Sequence, residues 1–68
     1  MTLSIELDQE ADGRWIAEVA ALPGVLTDGV TRLDAVAKVQ ALALRALADR
    51  VEHGEAVSEF LNVTFLAA

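Results

Sequence analysis

The ten residues Leu22-Pro23-Gly24-Val25-Leu26-Thr27-Asp28-Gly29-Val30-Thr31 constrain the fold more than any other part of this chain. Pro23 removes a ladder donor and Gly24 permits a reversal, so a strand arriving at Leu22 must stop there. Val25 to Asp28 is long enough for one short edge strand, which Gly29 ends. Thr31 is a good helix N-cap. Asp34, three residues on, makes an aspartate variant of the capping box and places negative charge at the positive end of the helix dipole. From Arg32 to His53 there is no Gly or Pro, Ala and Leu dominate, and Gly54 supplies a stop. One helix of about 22 residues, roughly 33 Å long, is expected.

Upstream of that junction the pattern is β. Thr2 to Asp8 alternates, with Leu3, Ile5 and Leu7 on one face and Ser4, Glu6 and Asp8 on the other. Asp12-Gly13 supplies the positive-φ position of a hairpin turn. Arg14 to Val19 returns as a second strand, Trp15, Ala17 and Val19 inward, with Ile16 leaving the outer face less than fully polar. Phe60 to Leu66 reads as a last strand, Leu61, Val63 and Phe65 inward. The expected fold is α+β, in the order β-β-β-α-β. It is a single domain over residues 1–68, with one helix packed on a four-stranded mixed sheet and the last strand parallel to the first.

At 68 residues such a domain buries only about 60% of the surface its unfolded chain exposes, and stability alone is marginal. No cysteine is present, which removes disulfides and thiolate metal sites, and the single histidine, His53, cannot build a histidine site. Apolar residues make up 54% of the chain, high for so little interior. Oligomerisation is therefore the expected support, as a dimer or tetramer. The net charge of −6 argues against nucleic acid as a direct ligand and suits a basic partner or plain solubility. There is no basic, apolar leader at the N-terminus and no apolar run of about 18 residues, so a soluble cytoplasmic protein is expected, with no membrane contact.

On a helical wheel, Leu33, Val36, Ala37, Ala43, Leu44, Leu47, Ala48 and Val51 share one broad arc, the expected core face. Asp34, Lys38, Arg45, Asp49 and Glu52 form a charged arc with Asp34–Lys38 and Arg45–Asp49 as i,i+4 pairs. Ala35, Val39, Leu42 and Ala46 then form a second apolar stripe. It lies either at the edge of the core or against a partner, and Val39, Leu42 and Ala46 are the candidate interface residues. Gln40 falls within the core arc, where its amide must find a strand-end backbone partner unless the helix rolls to make it peripheral.

No catalytic constellation emerges. The carboxylates lie on outward faces and turns, Ser4 and Ser58 lack a neighbouring base, and Gly24 and Gly29 fit no phosphate loop. His53 is placed to meet the negative end of the helix dipole, and Trp15 to pack. No catalytic residue, metal or cofactor is expected.

The order of these elements resembles the HicB-like antitoxin family: a leading strand (Leu3 to Leu7), an acidic turn with glycine (Glu10-Ala11-Asp12-Gly13), a second strand (Trp15 to Val19), then Leu22-Pro23-Gly24-Val25, Gly29-Val30-Thr31 and an alanine-rich helix from Ala35 onward. Gly13, Pro23, Gly24, Gly29 and Thr31 are the structural residues of that motif. The resemblance implies a partial ribonuclease-H-like fold and a non-enzymatic role, binding and neutralising a small basic toxin that cleaves messenger RNA by covering its active site. Family members often carry a further DNA-binding module. Here the sequence stops after the last strand, so operator binding is not expected. A small-molecule-binding or regulatory module of the same fold, without a toxin partner, is the other reading.

Overall fold

A computed structural model of the chain describes residues 1–55 and 62–67. Its elements are β1 (Thr2–Gln9), β2 (Trp15–Glu18), β3 (Leu26–Gly29), α1 (Arg32–Glu52) and β4 (Thr64–Ala67). The sheet order is β3-β2-β1-β4, antiparallel except where β4 runs parallel beside β1. This is the expected α+β arrangement, one helix on a four-stranded mixed sheet. The last strand is shorter than its apolar pattern suggested, with Val63 just ahead of it and Phe65 within it, both half-buried against the core. Phe60 and Leu61 lie outside the described residues.

Local chemistry accounts for the turns. Gly13 N–H donates to the Glu10 carbonyl (2.9 Å), and Gly13 takes φ 94° where the β1–β2 hairpin closes. Val25 N–H donates to the Leu22 carbonyl (3.1 Å) across Pro23-Gly24, with Gly24 at φ 84°. Proline at the second position and a positive φ at the third define a type II turn, which no L side chain fits without strain. At the start of α1, Asp34 N–H donates to Thr31 Oγ1 (3.0 Å). The return bond differs from the usual box: Asp34 Oδ2 accepts from Val30 N–H (3.1 Å), one residue ahead of the cap. At the other end Glu55 N–H reaches the Arg50 carbonyl and Gly54 N–H the Val51 carbonyl, both at 3.0 Å, a Schellman closure of the last turn. His53, the C-cap, holds its Nδ1 2.7 Å from the Asp49 carbonyl and 3.5 Å from the Asp49 carboxylate. Lys38 pairs with Asp34 (3.2 Å) as the spacing suggested, whereas Asp49 is engaged by His53 and not by Arg45.

The core is Leu3 and Ile5 of β1, Ala17 of β2, Val19, Leu22 and Val25 of the following loop, and Ala35, Val39, Ala43 and Leu47 of the helix. This divides the assignment of helix faces: Ala43 and Leu47 of the expected core arc are buried and Val36 packs against them, but the rest of the arc is not. The second stripe, left open between the core's edge and a partner, belongs to the chain's own core: Val39, a candidate interface residue, is wholly buried, and Leu42 and Ala46 pack against the core's edge. Leu33, Leu44 and Val51, expected inside, are 77%, 51% and 39% exposed. Gln40 is peripheral and half-buried, the second of its two open options.

The cause lies at Gly29. A Cβ there would stand 2.8 Å from Ala35 Cα and 3.0 Å from the Asp34 carbonyl carbon, and would also overlap Ala35 N. Only a residue without a side chain lets the first turn of α1 come down onto β3 at this point. Ala35 then becomes the contact residue, and the ridge of every fourth residue, Ala35, Val39, Ala43 and Leu47, follows it onto the sheet. The glycine that the sequence presents as a strand terminator is the packing point for the helix.

Two expectations follow. Gly29→Ala lowers unfolding free energy by about 1–3 kcal/mol through overpacking, read as a reduced urea midpoint at unchanged slope. Asp34 is held below its ordinary value of 3.8 by the Val30 backbone N–H, then by Lys38, and Asp12 below 3.8 by the Arg14 backbone N–H, then by the Arg14 guanidinium. A lowered folded-state value means stability fully present above pH 3.8 and lost as pH falls through the folded value. Wild type should lose stability below that pH, and Asp34→Asn, followed by circular dichroism from pH 5 to 2, should lose less.

Candidate functional site

The helix covers one face of the sheet, and among the described residues nothing covers the other. Strand alternation places Ser4, Glu6 and Asp8 of β1, Ile16 and Glu18 of β2, Leu26 and Asp28 of β3, and Leu66 of β4 on the bare face. The register sets them in rows: Asp8 opposite Ile16 and Ile16 opposite Asp28, then Glu6 opposite Glu18 and Glu18 opposite Leu26. Ile16 is half-buried at the centre, while Leu26 and Leu66 are 52% and 55% exposed. A shallow depression of about 280 Å³ lies among Glu6, Leu7, Asp8, Ile16 and Glu18.

The electrostatics of this face are one-sided. Residues 1–31 hold six carboxylates, Glu6, Asp8, Glu10, Asp12, Glu18 and Asp28, against one cation, Arg14. Arg14 is already engaged: its Nε donates to Asp12 Oδ2 (3.1 Å) and its Nη1 to Asp28 Oδ2 (2.7 Å), bracing the hairpin turn against β3. Among the described residues no cation pairs with Glu6, Asp8 or Glu18. Glu6 and Glu18 moreover face each other directly across the strands, an arrangement that opposes folding. Helix α1 contrasts with this, carrying Arg32, Lys38, Arg45 and Arg50 against Asp34, Asp49 and Glu52. The charge of the molecule is thus segregated between its two layers.

The motif residues all fall at structural points. Gly13 and Gly24 close turns, Pro23 leads the second of them, Gly29 seats the helix and Thr31 caps it. The acidic face is what sequence reasoning did not assemble. Alternation already put Glu6, Asp8, Glu18 and Ile16 outward; only the register brings Glu6 against Glu18 and adds Asp28 to the row. Among the described residues no group of three or more His, Asp or Glu side chains converges as metal ligands would, and no helix is long and apolar enough to cross a membrane. Compared with protein-family models, curated proteins and solved structures, the chain matches none of them.

The Glu6–Glu18 juxtaposition has a measurable cost. Glu18→Lys converts a repulsive cross-strand pair into an attractive one and should raise stability by about 0.2–1 kcal/mol, a gain of a few degrees in thermal midpoint. A lower midpoint would mean that the two carboxylates do not repel in the folded state.

Proposed function

We propose that this chain is a non-enzymatic protein-interaction domain of the HicB-like antitoxin kind, whose bare sheet face takes a small basic protein. One observation carries the reading: among the described residues no cation pairs with Glu6, Asp8 or Glu18, which share one surface around the apolar Ile16, flanked by Leu26. A surface of this kind attracts a cationic partner over a distance and gives it an apolar anchor on arrival. Like-charge crowding that opposes folding is relieved when the partner's Lys and Arg arrive, so the same groups that weaken the free domain favour the complex. The resemblance supplies the class of partner, a small basic toxin that cleaves messenger RNA. Cytoplasmic action and assembly as a homo-oligomer belong to the same reading.

Co-expression tests it. The small basic protein encoded next to this chain should arrest growth alone and be silenced by wild type. Glu18→Lys combined with Asp8→Lys should lose the silencing while remaining folded, and complex formation should weaken as salt rises. A toxic neighbour that wild type neither binds nor silences overturns the proposal, as does full silencing by the charge-reversed variant.

A further inference from the structure

Strand β1 is only half paired on one of its sides. Residues of an antiparallel ladder alternate between bonding the partner strand and pointing away from it. Glu10 N–H donates to the Arg14 carbonyl (2.7 Å), so the even-numbered residues Glu6 and Asp8 turn their backbone groups toward β2. Odd-numbered residues turn theirs the other way, where the Met1 carbonyl accepts from Thr64 N–H (2.9 Å) and β4 begins. β4 accompanies β1 only as far as Ile5, opposite Ala67, whereas β1 runs on to Gln9. The N–H and C=O of Leu7 and Gln9 therefore project past the last paired position, and among the described residues no strand meets them. Glu6-Leu7-Asp8-Gln9 holds no lysine, proline or glycine to blunt this edge.

The two faces beside the open edge differ. On the bare face stand Glu6 and Asp8, with which no cation pairs among the described residues. On the helix side, α1 lies over β3 and β2 and hardly reaches β1, so Leu7 and Trp15 are only half-buried. From this we infer that the Leu7–Gln9 half of β1 is a strand-addition site, and that its occupant is an extended segment of the basic partner in which Lys or Arg alternates with an apolar residue. The inference rests on the proposal of a basic partner and states how that partner is held. A strand laid here bonds Leu7 and Gln9 through its backbone. Every second side chain then falls beside Glu6 and Asp8, at a Cβ separation of about 5 Å, and the others turn toward Leu7 and Trp15. A second copy's β1 would set these carboxylates against themselves, so charge rejects it. The outer edge of β3 suits the segment less: Asp28 is already bound to Arg14 (2.7 Å) and Val30 N–H to Asp34 Oδ2 (3.1 Å).

Amide exchange of the full chain, followed by NMR with and without a blocked hexapeptide alternating lysine and valine, tests it. In the free chain the Asp8 and Glu10 amides should exchange slowly and the Gln9 amide fast. The peptide, at about 1 mM and low salt, should slow Gln9 by about tenfold or more. A peptide of three lysines followed by three valines has the same charge and should bind about tenfold more weakly, read from Trp15 fluorescence. Glu6→Gln with Asp8→Asn should cost about tenfold in affinity for the alternating peptide. Gln9→Pro deletes the outward donor without touching the β1–β2 ladder and should abolish binding, while Gln9→Ala binds as wild type. Should the proline variant not fold, exchange in wild type still decides. Absence of binding, a Gln9 amide that the peptide leaves unchanged, or protection at Leu26 and Asp28 instead, would overturn the inference. So would equal affinity for the two peptides. Silencing of the basic neighbour is read separately: a partner silenced with Gln9 still exchanging fast removes the added strand and spares the basic partner, whereas a neighbour that is not silenced removes the partner.

Discussion

The close approach of α1 to β3 at Gly29 governs the rest of the molecule. A helix with two apolar stripes could lie on a sheet at more than one roll. Contact between the Gly29 backbone and the Ala35 backbone removes that freedom, because it fixes which residue of the first turn touches the sheet. Alanine at positions 35 and 43 keeps the helix low along its length, and Val39 and Leu47 fill the space between. The cap geometry serves the same end: Thr31 and Asp34 exchange bonds with the backbone on either side of the junction, so the helix begins at a defined angle beside Gly29. Roll, core membership and the identity of the uncovered stripe all descend from one missing side chain.

This also explains what could be read from the residues and what could not. The hairpin at Asp12-Gly13, the reversal at Pro23-Gly24, the cap at Thr31 and the stop at Gly54 are local, and each carries its own chemistry in two to four residues. The strand faces of β1 and β2 follow from period-two alternation, which leaves no freedom once one face is buried. Helix roll is different. The wheel ranks residues by angle but contains no information about distance to the sheet, and the broad apolar arc made Leu33, Leu44 and Val51 look as suitable as Ala35 and Val39. The wheel placed Ala43 and Leu47 correctly and Leu33, Leu44 and Val51 wrongly. The acidic face was half legible, since outward direction follows from alternation but adjacency requires register.

The resulting molecule has two layers with different appetites. The sheet offers carboxylates around a central isoleucine, with its single nearby arginine already bound to Asp12 and Asp28. The helix leaves Leu33, Leu44 and Val51 exposed beside the charged arc of Asp34, Lys38, Arg45, Asp49 and Glu52.

The placement of β4 has a consequence for how the chain reaches this state. β1 is an inner strand, yet its outer neighbour is made of residues 64–67, and the Met1 amino group and carbonyl join Asn62 and Thr64 across more than sixty positions of sequence. During synthesis the hairpin and helix can assemble while one side of β1 still shows unsatisfied amides and carbonyls to any extended peptide nearby. Completion of the sheet is therefore a late event of high contact order, and the interval before it is when a nascent copy is most open to pairing with the wrong strand.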